Sequence, residues 1–568
     1  MNHYLRKTCF ATLLATVTLP SFAQTYQVKL NEKVKNKIRS ESVIGRDDSG
    51  NVYIAGAKYR PKVYIPLGII NYVDVRKERY IKKYDAQLNL VDQFRVNGEK
   101  IALKQSAIDG KTVICMVGIF SSFQAYNMSM ISVTVKGNYY LVTQDEQKPR
   151  NDYYVLKINM KDGTVETRTH LFALSRNKKD KTLKIDDFHI AVSPDSSKVL
   201  FSASYQRDKS SKTGVAYSAA AFTSDLQPLF SANYKLPKSG KDFKVKDAQI
   251  TNDGEVLVMG RNLDKNHRDE SGYVSVFAMS KEQPKPKETR MKFKGSYVND
   301  VLLSLNNTEV PMAVGFYRNG SGKKGYDGMF YAPLDQDHQI YEMHKHEFDA
   351  EFIGATYSPN AEKKLKRKES RGKDLKESSR FNLTDFIKTD DGGYLAVAEN
   401  YYVVAVTRTS GGGRTGMTTT HTEYHHHYGD MIVFKFDKDG KKTAMNKVAK
   451  ENIYVTGDNS QPYERDYASS NIDGDTYLLF NDDAGLETTN RVRSGKNSRK
   501  TTYIAKVKQD GGIKKDLLIS KNDGDGYVFD PHLNIQRAGA NSLVILMSRR
   551  GRNNKRTRMG TVTIQKTS

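Results

Sequence analysis

The sequence contains no tryptophan, only two cysteines and no long apolar run. Cys9 lies in an N-terminal segment that we expect to be removed, so Cys115 remains alone and an intrachain disulfide is excluded. No later run of roughly 18 apolar residues exists, so we expect no transmembrane segment. These absences mean that an ordinary apolar core must hold the chain together.

Residues 1–23 have the pattern of a secretory signal peptide. Arg6 and Lys7 precede an apolar stretch, which ends in the small residues Ser21 and Ala23, and this order is typical of exported proteins. The alternative is a buried N-terminal strand or helix. Cleavage after Ala23 would leave a mature domain of residues 24–568 in the periplasm or outside the cell.

The chain is basic, with a formal net charge of +25. Subtracting the two charges of Arg6 and Lys7 from 25 leaves +23 for the mature chain. A positive chain attracts anionic partners. For an exported protein we expect an acidic glycan, a lipid headgroup or an envelope protein; nucleic acid is an unlikely partner, and the chain is expected to be a monomer.

A unit of two strand pairs recurs along the chain, each pair joined by a tight Asp/Asn/Gly turn. The clearest copy is residues 386–400, with the sequence FIKTDDGGYLAVAEN, followed by residues 430–443. The remaining copies are 45–59 with 80–94, 107–120 with 153–168, 187–204 with 215–232, 248–262 with 272–283, 302–316 with 328–339, 469–482 with 502–518, and 533–548 with 559–565.

These units predict an all-β fold, a single large β-propeller of seven or eight four-stranded blades. Seven remains open because a strand-like run at Tyr139 complicates the second unit. The last unit lacks a fourth strand, and residues 25–30 (TYQVKL) are expected to supply it and close the ring, which would remove two sheet edges. The alternatives are two smaller propellers or a β-solenoid, with the long fourth-to-first connection at 358–380 as the break.

The segments DDGGYLAVAE and GDMIVFKFDKDGK, with the repeated Asp-Gly hairpins, resemble secreted β-propeller repeat proteins of poorly characterised function. The WD dipeptide of WD40 blades is impossible without tryptophan, and no regular Kelch pattern is present. The resemblance covers most of the mature chain. It implies a fold and leaves the function open.

The long insertions fall mainly between second and third strands, at 59–79, 122–152, 400–428 and 483–500. Basic residues gather in two such loops and in the 363–373 segment, so they are expected to converge on one face as an anion-binding surface. The alternative is that these residues form solvated surface loops without a binding role. The candidate ligand-binding residues are Arg491, Arg493, Lys496, Arg549, Arg550, Arg552, Lys555, Arg556 and Arg558.

A histidine-rich segment follows Gly411-Gly-Gly-Arg-Thr-Gly, which lacks the Lys-Ser/Thr ending of a phosphate loop. Imidazoles suit zinc, copper or nickel, so one interpretation of this segment is a metal site. The alternative is a flexible polar tract. The candidate ligands are His421, His425, His426 and His427.

Aspartates recur before the first turn of several units. Asp247, Asp300 and Asp385 each stand six residues before a turn residue, and Asp187 is placed similarly. First strands line the channel of a propeller, so these carboxylates are expected to ring one channel mouth. They could hold Ca²⁺, act as general acid and base, or accept backbone N–H groups at blade junctions; the repetition favours the last role.

Three functions follow, and the leading one is a non-enzymatic binding or scaffold propeller whose basic long-loop face takes an anionic partner. The first alternative is a carbohydrate-active hydrolase or lyase that uses Asp247, Asp300 and Asp385. The second is a metal-binding envelope protein that holds a divalent metal, Ca or Zn. No Gly-x-Ser-x-Gly elbow, His-Glu-x-x-His pair or paired cysteine motif is present.

Overall fold

The computed structural model describes most of residues 25–565. Shorter gaps interrupt the described chain, and the longer ones are 31–38, 65–71, 97–131, 176–183, 207–213, 263–273, 372–380, 411–418, 484–499 and 551–554. The expected signal peptide, residues 1–23, lies outside the described residues.

The described residues form eight antiparallel sheets, six of four strands and two with a fifth strand. Sheet 1 consists of β2 (Arg39–Arg46), β3 (Val52–Tyr64), β4 (Tyr72–Tyr84) and β5 (Leu90–Arg95). Sheet 2 consists of β6 (Ser132–Val135), β7 (Asn138–Gln147), β8 (Arg150–Ile158) and β9 (Val165–Ser175). Sheet 3 consists of β10 (Lys184–Val192), β11 (Lys198–Gln206), β12 (Gly214–Thr223) and β13 (Pro228–Ser239). Sheet 4 consists of β14 (Phe243–Ile250), β15 (Val256–Asn262), β16 (Val274–Met279) and β17 (Lys287–Met291).

The second half of the chain repeats this order. Sheet 5 consists of β18 (Ser296–Leu305), β19 (Pro311–Asn319), β20 (Gly328–Pro333) and β21 (His344–Glu347). Sheet 6 consists of β22 (Phe381–Lys388), β23 (Tyr394–Ser410), β24 (Thr419–Phe436), β25 (Lys442–Val448) and β26 (Asn452–Thr456), which pairs with β24. Sheet 7 consists of β27 (Tyr467–Ile472), β28 (Asp475–Asp483), β29 (Lys500–Val507) and β30 (Ile513–Ile519). Sheet 8 consists of β31 (Val528–Phe529), β32 (Gln536–Gly539), β33 (Ser542–Arg550), β34 (Lys555–Gln565) and β1 (Thr25–Leu30).

The tight turns arise from the Asp-Gly sequences. At the β22–β23 turn, the Gly392 N–H donates to the Thr389 carbonyl at 3.0 Å, and the Thr389 N–H donates to the Gly393 carbonyl at 2.9 Å. Gly392 adopts a φ of +83°, a conformation that costs glycine little because it has no Cβ. The Asp391 carboxylate accepts the Gly393 N–H at 3.1 Å and stabilises the same turn.

The core consists of apolar layers between neighbouring sheets. Each sheet packs against the next along the chain, as Val258 of sheet 4 and Ala221 of sheet 3 do in one layer. The eighth sheet packs in turn against the first, where Leu546 and Val544 meet Ile54. Apolar burial of this kind is the main stabilising term of a folded domain, and the arrangement is consistent with a β-propeller.

Strand β1 pairs with β34 in antiparallel register, from Thr25 opposite Gln565 to Leu30 opposite Gly560. The sequence therefore placed residues 25–30 correctly beside the last unit. Their side chains Tyr26, Val28 and Leu30 pack on the core between sheets 7 and 8.

Two sequence expectations need correction. The insertions at 59–79 and 400–428 extend strands into long hairpins, because β-branched and aromatic residues such as those of Tyr401–Ser410 favour strand pairing. The insertion at 122–152 contains β6 and β7, so the run at Tyr139 is the second strand of sheet 2, while residues 107–120 lie outside the described residues.

The connection at 358–380, predicted as a long fourth-to-first connection, lies between β21 and β22. It carries α2 (Pro359–Glu369), which follows the short α1 (Ala350–Gly354). Part of this basic segment is therefore helical, and Lys366 pairs with Glu362 one turn away at 2.9 Å. Among the described residues, no helix has the length and apolar character needed to cross a bilayer.

Candidate functional site

The four aspartates found in the sequence occupy one repeated backbone feature. The pairing of each sheet's first and second strands shifts register immediately before Asp187, Asp247, Asp300 and Asp385, within β10, β14, β18 and β22. A bulge places two residues opposite one and redirects a side chain. The same local distortion therefore presents a carboxylate in four successive sheets.

Three of these carboxylates join their sheet to the next one. Asp247 accepts the Leu303 N–H of sheet 5 at 3.0 Å, and Asp300 accepts the Leu383 N–H of sheet 6 at 2.8 Å. Asp385 accepts the hydroxyl of Tyr467 in sheet 7 at 2.9 Å. These bonds satisfy polar groups between sheets, which is the structural role that the repetition favoured.

The first strands of sheets 3 to 6 also enclose a cavity of about 670 Å³. Its lining residues are Asp187, Phe188, His189, Lys246, Asp247, Gln249, Leu302, Leu303, Ser304, Thr384, Asp385, Phe386 and Tyr463. A polar cavity of this size can accommodate a small ligand or part of a chain.

Asp247 and His189 are two of the titratable residues that line this cavity. Burial raises the pKa of Asp247 to about 6, while the nearby positive charge of His189 and hydrogen bonds from Leu303 and Ala248 act in the opposite direction. His189 Nε2 lies 3.6 Å from Asp187 Oδ2 and has no hydrogen-bond partner among the described residues. A carboxyl group whose pKa lies near neutral pH, together with a nearby imidazole, forms a candidate acid–base pair.

The other two carboxylates are paired with cations. Arg465 donates to Asp385, which also accepts from Ser469 at 3.3 Å. Lys246 lies 3.1 Å from Asp300, which is buried and does not line the cavity. Of the three catalytic candidates, the structure therefore brings Asp247 and Asp385 to one cavity and places Asp300 in a sheet junction.

The proposed basic surface is only partly described. Arg491, Arg493, Lys496 and Arg552 lie outside the described residues. Arg549 and Arg550 pair with Arg556 and Lys555 across the β33–β34 hairpin, with Arg558 further along the same strand. Among those whose side chains are described, Arg549 and Arg558 do not line the cavity, so no contact of theirs with the cavity supports a shared site.

The histidine segment is a strand rather than a flexible loop from Thr419 onward. His421 and His425 lie roughly 13 Å apart along it, since a strand rises about 3.3 Å per residue. His426 is buried on the opposite face, bonded to the Tyr401 and Thr456 hydroxyls at 2.8 Å each. His427 stacks on Tyr402, with ring centroids 4.4 Å apart.

This strand therefore separates the four imidazoles. Within the described part of the chain, no three His, Cys, Asp or Glu side chains converge in an arrangement that would hold a metal ion. The Ca or Zn site stays a prediction from the sequence, and nothing in the described geometry adds to it.

Three residues of the cavity were not predicted from the sequence: His189, Lys246 and Tyr463. His189 and Lys246 flank the repeated aspartates on first strands, and their proximity to a predicted channel residue was the available signal. Tyr463 lies in the connection between β26 and β27, where no repeat marks it. It reaches the cavity through contacts that are distant in sequence.

No protein-family model matches this chain, and no curated protein does. Among solved structures, the polysaccharide lyase Uly1 matches with a TM-score of 0.33 and 10% identity over 93% of this chain and 90% of its own. A PL25 ulvan lyase matches with 0.34 and 8% over 87% and 96%. A GH43 β-xylosidase/α-arabinofuranosidase from a compost microbial metagenome matches with 0.26 and 12% over 58% and 94%.

The leading functional prediction, a non-enzymatic binding or scaffold propeller, is wrong by this comparison. The similar structures include two polysaccharide lyases and a glycoside hydrolase, which agree better with the carbohydrate-active alternative. With TM-scores below 0.5, the likeness transfers no mechanism or residue role. The chemistry is therefore argued from the cavity alone.

Proposed function

We propose that this protein is an exported carbohydrate-active enzyme, a hydrolase or lyase that cleaves a glycan in the cavity at Asp247. The observation that carries the proposal is the meeting of Asp187, His189 and Asp247 in one cavity, with the pKa of Asp247 at about 6. Two titratable groups held in different environments are the usual basis of acid–base catalysis.

Asp247 takes the role of general acid. Its carboxyl is protonated below about pH 6 and can donate that proton to the glycosidic oxygen as the bond to the leaving sugar breaks. His189 takes the role of general base, oriented by the Asp187 carboxylate 3.6 Å away. It would receive a proton either from an attacking water, in a hydrolase, or from a sugar carbon, in a lyase.

The substrate that fits best is an anionic glycan. The chain carries a net charge of +25, and a positive protein increases the local concentration of a negative polymer. Lys246 lines the cavity with a side chain about one-third exposed, and its ammonium group pairs with Asp300. The cavity wall also carries the carboxylates of Asp187, Asp247 and Asp385, so the attraction comes from the charge of the whole chain. Carboxylated or sulfated sugars would gain from this potential, whereas neutral sugars would not.

We also propose that the eight sheets are eight blades of one closed propeller, with β1 completing the last blade through its pairing with β34. The packing of sheet 8 on sheet 1 supports closure. Export through residues 1–23, to the periplasm or outside the cell, and a monomeric state complete the expectation.

The test is a cleavage screen of the mature protein on alginate, pectate, chondroitin and xylan. Reducing ends report any cleavage, and ultraviolet absorbance of an unsaturated product distinguishes a lyase from a hydrolase. Asp247→Asn should lower kcat/KM at least 100-fold, and parental activity should fall as pH rises through about 6, because Asp247 then loses its proton.

Asp225→Asn, at an exposed carboxylate of sheet 3, is the matched control and should keep parental activity. Full activity in both Asp247→Asn and His189→Ala would refute the acid–base assignment. Absence of cleavage and of binding on every polysaccharide would refute the function itself.

A further inference from the structure

The connection between β26 and β27 brings Tyr463 to the cavity through a set of buried anchors. We infer that Tyr463 is a sugar-binding residue of the cavity, fixed in place by the buried ionic cluster of Glu399, Lys450 and Asp466. This inference rests on the proposed function and adds a substrate-contacting group that lies outside the first strands.

The first anchor holds the backbone of Tyr463 itself. The hydroxyl of Tyr428, a fully buried residue of β24, donates to the Tyr463 carbonyl and accepts the Tyr463 N–H at 3.1 Å. One side chain thus satisfies both backbone polar groups of a residue in a connection. Such groups would otherwise be free to exchange with water, so the contact restrains this part of the connection.

The second anchor lies two and three residues further on. Arg465 donates to Asp385 on the cavity wall, and the Asp466 N–H donates to Glu399 Oε2 at 2.8 Å. The short segment from Tyr463 to Asp466 is therefore tied on one side to the cavity and on the other to the β23–β24 hairpin.

The third anchor is the ionic cluster. Lys450 pairs with Glu399 and with Asp466, the latter at 3.1 Å, and all three side chains are buried. Asp466 also accepts from Tyr454 and Asn452, each at 2.6 Å. Burial raises the pKa of Glu399 to about 7, against the opposing effect of Lys450.

A buried ionic cluster has a high desolvation cost as a contact between two sheets. Apolar residues of similar volume often serve as well or better, because desolvating charges costs several kcal/mol. The cores between sheets 2 and 3 and between sheets 4 and 5, in contrast, consist of apolar clusters. Hydrogen bonds and ion pairs restrict geometry more than apolar contacts do, so the cluster fits a role in fixing the connection that carries Tyr463.

Tyrosine suits a sugar site. A pyranose ring offers apolar C–H faces and polar edges, and an aromatic side chain with a hydroxyl can contact both kinds of group at low entropic cost. The Tyr463 ring is partly exposed and is supported by the edge of Tyr454, with centroids 5.0 Å apart. The acid–base pair approaches the same cavity from sheets 3 and 4.

The experiment measures binding by calorimetry in an Asp247→Asn background, which prevents turnover. The probes are hexasaccharides of alginate, pectate and xylan. Tyr463→Ala should weaken binding of the preferred probe at least tenfold, Tyr463→Phe less than threefold, and Asp225→Asn not at all. In the cleaving parent, Tyr463→Ala should raise KM more than it lowers kcat.

Lys450→Gln tests the cluster as a positioning device. If the variant remains folded at the assay temperature, it should reproduce the KM effect of Tyr463→Ala although Lys450 does not line the cavity. In the double variant, the two losses should not add, because both act through the same ring.

The outcomes separate the two proposals. Parental binding and KM in Tyr463→Ala would overturn the inference and leave glycan cleavage intact. Failure of the parent to bind any probe or cleave any polysaccharide would overturn the proposed function, and the inference with it. Loss of binding in both Tyr463→Phe and Tyr463→Ala, with a lowered Tm in both, would assign Tyr463 to structure instead.

Discussion

Carboxylates at equivalent positions on the two sides of the cavity have different interaction partners. On the side of sheets 6 and 7, Asp385 receives Arg465 and the hydroxyls of Tyr467 and Ser469. On the side of sheets 4 and 5, Asp247 receives backbone N–H groups from Ala248 and Leu303, and burial raises its pKa to about 6.

The difference shows how a repeat can produce an asymmetric site. The bulge fixes where the carboxylate lies in each sheet, while residues of the following sheet decide how its charge is compensated. Arg465 donates to Asp385, whereas burial raises the pKa of Asp247 to about 6. Carboxylates at the same repeat position thus have different electrostatic environments, although both join their sheet to the next.

The largest expected effect comes from removing the compensating cation near sheets 6 and 7. Lys450→Met would leave the Glu399 and Asp466 carboxylates buried without their ammonium partner, so the free energy of unfolding should fall by about 3–5 kcal/mol. Urea unfolding measures the change. Adding Glu399→Gln and Asp466→Asn should recover part of the loss, whereas an unchanged stability in Lys450→Met would contradict the assigned cost.

A smaller effect should appear at Asp247 as a pH dependence. Its folded pKa of about 6 exceeds the unfolded value of about 3.9, so the folded state binds the proton more tightly. Its contribution to stability is then full below about pH 4 and is lost as pH rises through 6.

Unfolding midpoints from pH 4 to 7 measure this dependence. The parent should lose stability on the order of 2 kcal/mol from this group, and Asp247→Asn should lose correspondingly less. Asp225→Asn serves as the control and should follow the parent. Parallel curves for the parent and Asp247→Asn would show that burial does not perturb this carboxyl.

The smallest effects should separate Asp300 from Asp187. Asp300 is 8% exposed and bonds to Leu383 and Lys246, so Asp300→Asn should cost about 1–2 kcal/mol. The Asp187 side chain is 52% exposed, and Asp187→Asn should change stability by less than about 0.5 kcal/mol. Equal losses in thermal unfolding of the two variants would mean that bulge position alone sets the role.

Local patterns were enough to predict many of the strands and the aspartate series. Asp247 and Asp385 each stand six residues before the Asp of an Asp-Gly turn, and a hairpin preserves that spacing, so the sequence predicted both near one channel mouth. The residues that compensate them come from other sheets. No short-range signal links Asp385 to Arg465 or Asp247 to His189.

Residues 400–428 were predicted as a loop because they include a glycine-rich run and several histidines. The alternation of residue types in Tyr401–Ser410, which indicates a strand, was given less weight. Register with a distant partner, as of β26 with β24, is a tertiary property. The anchored connection at Tyr463 was invisible for the same reason, since its partners Tyr428 and Glu399 lie 35 and 67 residues from their contacts.

The pairing of β1 with β34 sets an order of events. Thr25 lies opposite Gln565, so this strand pair cannot form until the chain has been synthesised almost to its end. Closing so long a loop has an entropic cost that grows with the logarithm of its length, and nonlocal pairing slows folding. Until β1 pairs with it, β34 presents an unpaired edge.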